Sequence, residues 1–487
     1  MSIHGPIIKR CLLRPWETAV IDDQRSYSRG ALLIAAMNLA DEIAKRSTSR
    51  FVGIMLPTGG LFPIAALACW MLGRTVVPLN YLLKPDELQF VIDDCKPDIV
   101  ITVQPMLDFV GSAPKNARVL RLEDVDLKTI PEPRWPCGAG DDDLGILLYT
   151  SGTSGRPKGV MLSHGNAAGN VRQIVEWVNF TPNEVIVGVL PQFHTFGLTV
   201  LTMLPLMIGC RVVYTARFVP HRLVRLFREH KATAFIGIPS MFNAMINVKD
   251  ASPADFADMK FAVSGGEPLP GAVANGFFER FGVRINEGYG LTETSPVTNW
   301  CRPHEYRAQS VGRPITDVRE WIVDLENGND LGPGLDGEVR IAGPNVMQGY
   351  YNRPEETAKA FDEQGRFRTG DIGRMDAEGH LFITGRLKEM LIVAGENVFP
   401  REIEEVLNTH PSVKDSGVVG MTDPVRGEQP LGFVELKDGA AFDEREIIDF
   451  CRHRLAGYKV PKAVRKLDAL PRNPTGKVMR RELKKLI

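Results

Sequence analysis

Short apolar runs alternate with helix-patterned segments through most of this chain, and no other feature constrains the fold as much. Runs at 51–56, 74–79, 98–103, 185–190, 211–214, 234–238 and 260–263 read as strands. They lack the apolar–polar alternation of a half-exposed sheet, so both faces must be covered. Between them lie patterns such as 28–44, where apolar residues recur at helical spacing. The sequence therefore predicts an α/β fold of stacked, mostly parallel sheets with helices on their faces. No fixed-period repeat or low-complexity tract interrupts it.

The chain has 487 residues, enough for two to four domains or subdomains. A turn-rich zone, NGNDLGPGLDG at 327–337, reads as a hairpin or turn before an expected strand at 338–341, and the expected fold includes a small barrel-like β subdomain. After TGRLK at 384–388 a fresh cycle begins: a helix at 400–409, strands at 416–420 and 431–436, and a helix at 443–455. The expected division is a large N-terminal domain, 1–386, and a small α+β C-terminal domain, 387–487.

Lys+Arg is 58 and Asp+Glu is 59, so no global basic field exists to hold nucleic acid. Residues 452–487, however, hold 12 Lys or Arg against two acids, a local balance of +10. That stretch reads either as a solvated basic face or as a surface that meets polyanionic partners, an anionic membrane among them. The seven cysteines are odd in number and form no C-x-x-C, which argues against a disulfide framework and a structural zinc site. A reducing, cytoplasmic location is expected. Lys9, Arg10 and Arg14 interrupt any signal-like core at the start. The most apolar stretches, 61–79 and 196–210, contain an arginine or fall short of the about 20 residues a bilayer needs. The sequence ends Lys485-Leu486-Ile487, which is not a peroxisomal address.

The sharpest chemical feature is YTSGTSGRPKG at 149–159, after an apolar strand at 144–148. It holds two Thr, two Ser, three Gly and one Lys in 11 residues. Glycines let the backbone turn its N–H groups toward an anion, while hydroxyls and a lysine add donors and charge. This composition suits a polyphosphate cradle. It is not a Walker A loop, because Pro157 precedes Lys158 and Gly159 follows it. That argues against a phosphotransferase of the P-loop kind. A short apolar run at 160–162 follows, then a helix that Ser163 should cap.

In chain order follow PQFHTFG at 191–197, SGGEPL at 264–269, NEGYGLTET at 286–294, FRTGD at 367–371, TGRLKE at 384–389, GENVFPRE at 395–402 and PRNPTGK at 471–477. Together with the first loop, this series resembles the adenylate-forming enzymes: acyl-CoA synthetases, peptide-synthetase adenylation domains and beetle luciferases. The resemblance covers essentially the whole chain. Ser154 stands where Thr is usual and Phe367 where Tyr is usual.

The resemblance implies an AMP-forming acid–thiol ligase with ATP, Mg²⁺ and CoA as its cofactors and co-substrates. Thr150, Ser151, Gly152, Thr153, Ser154, Gly155 and Lys158 would cradle phosphates. Gly265, Gly266, Glu267, Glu287, Gly288, Tyr289, Gly290 and Ile383 would surround the nucleoside, with Tyr289 stacked on adenine. Asp371 and Arg386 would take the ribose. Thr292 would meet the α-phosphate and Glu293 the Mg²⁺, which needs few protein ligands beside phosphate oxygens. Lys477 would reach the carboxylate and α-phosphate during adenylation, and Lys388 would act as a hinge between two orientations. Gly395 and Glu396 would belong to the loop presented for the thiol step.

His194 lies in the motif that flanks the acyl carboxylate in the acyl-CoA synthetases the chain resembles. Adenylation domains for amino acids generally carry an aspartate there, so His194 argues for an acid without an α-amino group. Phe196, Gly197, Phe235, Ile238 and Met241, with Phe242 and Met245, are candidates for an acyl pocket. The motif style points to medium- or long-chain fatty acids. An aryl acid, or transfer to an acyl carrier protein instead of CoA, stays open at this point.

Overall fold

The structure, a computed structural model, describes residues 2–150, 156–423, 427–472 and 478–487. Two large sheets dominate. One has eight strands, in the order Val297–Trp300, Ile285–Gly290, Phe261–Ser264, Ala234–Gly237, Val185–Gly188, Arg211–Tyr214, Thr18–Ile21, Ser26–Ser28. Its six inner strands run parallel and only the two end pairings are antiparallel. The other has seven strands, in the order Gly349–Tyr350, Lys158–Ser163, Leu144–Thr150, Thr75–Pro78, Phe51–Met55, Ile99–Thr102, Arg118–Arg121. The apolar runs read from sequence are these strands, to within one or two residues at their ends.

Burial on both faces explains their uniform apolarity. Val20, Ile186, Ile236 and Val263 of the first sheet share one core with Val52, Val76, Ile101 and Ile146 of the second. The opposite faces carry separate cores. Val187, Val213, Phe235 and Ala262 pack under the helices Pro220–His230, Pro239–Ile246 and Gly271–Phe281. Met55, Val77, Val100 and Leu147 pack under Pro85–Cys95. Successive strand residues thus point to different cores, as the pleat requires.

The apolar segment after His194 is a bent helical stretch rather than a membrane element. Thr195–Gly197 leads into a wider π turn, Leu198–Met203, and then Leu204–Ile208. No helix among the described residues is long and apolar enough to cross a membrane.

The small β subdomain is a four-stranded antiparallel sheet: Arg319–Val323, Gly337–Ala342, Phe367–Met375, Leu381–Arg386. Beyond it, Leu391–Val393, Glu396–Val398, Val413–Asp423, Gly427–Leu436 and Ala463–Lys466 form a further sheet covered by Pro400–Asn408 and Glu444–Arg452. This unit has its own core, including Val398, Ile403, Leu407, Val418, Val434 and Ile447. Its long strand pair overruns the apolar stretches: 413–423 extends past 416–420 at both ends, and 427–436 starts before 431–436. Antiparallel pairing continues through polar residues such as Thr422 opposite Glu428, which apolarity alone does not mark.

Candidate active site

The phosphate loop joins two antiparallel strands, with Thr150 directly opposite Lys158. Ser163 then starts the helix His164–Val178 with a reciprocal cap. Its Oγ accepts from the Asn166 amide at 3.0 Å, and its own amide donates to Asn166 Oδ1 at 2.9 Å. Loop residues Ser151, Gly152, Thr153, Ser154 and Gly155 lie outside the described residues. Lys158 pairs with Glu356, and its ammonium stands 5.3 Å from the ring centre of Tyr350.

The strand Ile285–Gly290 delivers the next group. A Cβ at Gly290 would fall 2.0 Å from the Pro296 carbonyl, so only glycine fits where the chain doubles back. The turn that follows, Thr292–Thr294, carries Thr292 and Glu293. Met347 N–H donates to the Glu293 carbonyl at 2.8 Å, and Tyr350 Oη donates to Glu293 Oε1 at 2.9 Å. Burial raises the Glu293 pKa, and the Tyr350 bond opposes that by favouring the anion. No group of three or more His, Cys, Asp or Glu side chains among the described residues is placed to hold a metal ion by itself. A lone carboxylate fits Mg²⁺ that arrives with a triphosphate and keeps its other oxygens from phosphate and water.

Tyr289, Asp371 and Arg386 form one linked group. Tyr289 Oη donates to Asp371 Oδ2 at 2.6 Å, and Arg386 Nε meets Asp371 Oδ1 at 2.7 Å. Asp371 and Arg386 are direct partners across two antiparallel strands, and the Asp371 amide donates to Thr369 Oγ1 at 3.0 Å. The carboxylate thus fixes the Tyr289 ring and pairs with the guanidinium. Each oxygen still has lone-pair capacity for a hydroxyl donor. Ile383 lies on the Arg386 strand, half-buried against the main core.

Gly265 and Gly266 follow the strand Phe261–Ser264. Beside them the Ser264 hydroxyl is buried and has no hydrogen-bond partner among the described residues. Glu287 pairs across the sheet with Ser264 and accepts the Leu269 amide at 3.2 Å. Burial pushes its carboxyl up to about 7, against the pull of Arg401.

An apolar cavity of about 60 Å³ opens between these strands and the bent helical stretch. His194 and Thr292 line it, as do Phe196, Ile236, Val263 and Trp300. His194 Nδ1 accepts the Phe196 amide at 3.3 Å, and burial lowers the imidazole pKa, which favours the neutral ring.

Four of the expected acyl residues are elsewhere. Phe235 points to the opposite face of its strand, edge-on to Phe227 and Phe242 with ring centres 5.2 Å from each. Phe242 and Met245 share that core, and Ile236 takes the cavity position instead. Gly197 does not line the cavity either. A Cβ there would lie 2.2 Å from the Pro191 carbonyl, so this glycine permits a backbone crossing. Ile238 stands beside Gly266 and Met241 beside Gly237, next to the cavity. Tyr350, Ile236, Val263 and Trp300 escaped the sequence reading. Strand alternation from Phe235 was the available signal for Ile236.

Lys388 lies in the short turn Leu387–Glu389 that follows Arg386. Glu389 pairs with Arg480, which also binds Glu404 with Nε to Oε1 at 3.0 Å. Gly395 has φ +88° and Glu396 begins a short strand; both are exposed. Lys477 lies outside the described residues, between Arg472 and Val478, which form an antiparallel bridge.

Comparison with known proteins places this geometry. The model of the AMP-binding enzyme family matches residues 9–351, and that of the AMP-binding enzyme C-terminal domain matches 402–477. Feruloyl-CoA synthase of Amycolatopsis sp is 34% identical, covering 98% of this chain and 97% of the relative. Long-chain-fatty-acid–CoA ligase of Bacillus subtilis is 32% identical, covering 89% of this chain and 84% of the relative. The ATP-bound structure of MatB from Rhodopseudomonas palustris superposes with a TM-score of 0.93 at 29% identity, over 100% of this chain and 99% of that one. A cleft that joins a tyrosine–aspartate–arginine group to a half-buried glutamate and an apolar cavity therefore sits on a chain matched by both family models, and the chain belongs to the AMP-binding, adenylate-forming enzymes.

Proposed function

We propose that the protein is an ATP-dependent acid:CoA ligase acting on an apolar carboxylic acid without an α-amino group. One observation carries this reading. The Tyr289–Asp371–Arg386 group, the Thr292–Glu293 turn and the apolar cavity behind His194 converge on a single cleft. The named CoA ligases among the relatives support it.

The reaction takes two steps. The carboxylate attacks the α-phosphate of MgATP in line, pyrophosphate departs, and an acyl-adenylate remains. A CoA thiol then attacks the acyl carbon and AMP leaves. The protein's work is positioning and charge stabilisation. Asp371 and Arg386 take the ribose, with Tyr289 against adenine. Glu287, Ile383 and the Gly265–Gly266–Glu267 turn surround the base. Thr150 to Gly155 and Lys158 hold phosphates, while Glu293 orients the Mg²⁺ of the nucleotide. Neutral His194 stands at the acid's entrance to the cavity. Lys477 stabilises the charge that develops between carboxylate and α-phosphate. The unit from residue 387 onward turns about Lys388 between the steps, which withdraws Lys477 and brings the Gly395–Glu396 loop to the thiol. A cytoplasmic site fits seven cysteines that are all unpaired.

Relatives on both sides of the fatty-acyl and aryl divide lie at similar identity, so cavity shape has to carry the choice of acid. Product analysis tests the reading. Incubation with MgATP, CoA and a panel of acids should give acid-dependent AMP and acyl-CoA. ADP as the nucleotide product would overturn it. Acyl-adenylate that persists with CoA would replace CoA by a carrier protein.

A further inference from the structure

We propose that Trp300 closes the far end of the acyl cavity and makes the enzyme selective for a compact, flat aromatic acid with an oxygen at its distal end, over long alkyl chains. This rests on the ligase reading above and names its substrate class.

The cavity starts at His194 and Thr292, where the carboxylate must react, and Trp300 contributes to its wall. Trp300 is 2% exposed and ends the strand Val297–Trp300, directly opposite Gly288. A Cβ at Gly288 would stand 3.4 Å from the Asn299 carbonyl and 3.7 Å from Val263, so this stretch of the cavity wall is bare backbone. Trp300 is also held in place. Its carbonyl accepts the Trp177 indole N–H at 2.8 Å, and its ring stands edge-on to Phe261 with centres 6.3 Å apart. Phe261 packs in turn on Phe180 at 4.9 Å. Both are buried, so a chain that passed Trp300 would meet packed rings rather than a tunnel.

The shape is flat as well as short. A Cβ at Gly265 would come within 3.0 Å of the Phe196 ring, so glycine backbone lets that ring lie close over the strand. Phe196 and Trp300 thus bring aromatic surface to a slot partly walled by Gly265 and Gly288. Rings stack or meet edge-to-face across such a gap, and a conjugated acid enters with few torsions to freeze.

The third observation concerns polarity. Trp300 Nε1 is buried and has no hydrogen-bond partner among the described residues. A donor left unmade in an apolar end is costly, and an acceptor oxygen on the far side of the ligand would satisfy it.

The test compares acid-dependent AMP and acyl-CoA formation for 4-hydroxycinnamate, cinnamate, octanoate and palmitate. The wild-type enzyme should rank them in that order, with 4-hydroxycinnamate ahead of cinnamate in kcat/KM by about fivefold to tenfold, the worth of one hydrogen bond. Trp300→Ala should raise kcat/KM for octanoate and palmitate by at least about tenfold, the range in which hydrophobic pockets discriminate. Trp300→Phe keeps a ring and should keep the size limit while removing the preference for the distal oxygen. Palmitate as the best wild-type substrate, or unchanged kcat/KM for octanoate and palmitate in Trp300→Ala, would overturn the proposal and leave the ligase reading standing. AMP from no acid in the panel would overturn the ligase reading itself. The wild-type ranking needs no variant, so it decides the matter even if Trp300→Ala fails to fold.

Discussion

Tyr350 donates its hydroxyl proton to Glu293 Oε1 at 2.9 Å across 57 residues of sequence. The strand Gly349–Tyr350 is short, but it pairs antiparallel with Lys158–Ser163, the strand that leaves the phosphate loop. Tyr350 therefore touches two parts of the cleft. Its ring faces the Lys158 ammonium and its hydroxyl holds the half-buried Glu293 carboxyl. Lys158 meanwhile pairs with Glu356, a partner that an incoming triphosphate would have to displace.

Tyr350→Phe removes one hydrogen bond to the half-buried Glu293 carboxyl and little volume. Bonds to charged groups contribute about 1.5–3 kcal/mol, so adenylation should fall about tenfold to a hundredfold. The loss should show as a higher Mg²⁺ requirement in ATP–pyrophosphate exchange and weaker MgATP binding by calorimetry. Thioester formation from supplied acyl-adenylate should change little. An unaltered Mg²⁺ dependence would remove Tyr350 from the positioning of Glu293.

Lys477→Ala separates the two half-reactions more sharply. A lysine that stabilises charge only during adenylation is worth about 3–4 kcal/mol there, about a hundredfold to a thousandfold in rate. Acyl-adenylate formation should collapse while thioester formation from synthetic acyl-adenylate survives. Equal loss in both assays would contradict a turn of the C-terminal unit between steps.

The nucleotide side of this cleft was legible in the sequence because its chemistry demands unusual residues close together. Gly288, Tyr289, Gly290, Thr292 and Glu293 fall within one turn of chain, and the doubling back at Gly290 needs glycine. Asp371 and Arg386 stand 15 positions apart, yet each lies in its own recognisable motif. Tyr350 was not legible, since a two-residue strand and one hydroxyl connect it to Glu293 and neither leaves a pattern. The acyl side failed for another reason. Phe235 and Ile236 are both apolar and both buried, so composition could not say which face of the strand each took. In a sheet covered on both sides, no polar neighbour sets the register.

Glu287 gives a pH prediction with a definite sign. Burial lifts its carboxyl from 4.5 to about 7, against the Leu269 amide and Arg401, with Glu405 adding to the rise. The folded state therefore favours the protonated form. That contribution is complete below about 4.5 and is lost as pH rises through about 7. Glu287→Gln keeps the shape without the charge. Its melting temperature should gain on the wild type between pH 5 and pH 8, by an amount equivalent to at most about 3 kcal/mol. A melting difference that is flat across this window would mean Glu287 does not titrate there.

The strand Ala234–Gly237 allows stability and selectivity to be read separately from neighbouring residues. Phe235 packs edge-on against Phe227 and Phe242, away from the cavity. Phe235→Ala should cost about 3–5 kcal/mol in urea unfolding, the usual range for a buried phenylalanine. Among molecules that remain folded, the ranking of acids should stay as it was. Ile236 faces the cavity, so Ile236→Ala should widen the slot and move the ranking toward bulkier acids. The two variants must therefore differ in kind, one shifting the unfolding midpoint alone and the other reordering substrates. A reordered ranking in Phe235→Ala would place the acyl group on the opposite face of the sheet and remove Ile236, Val263 and Trp300 from the pocket together.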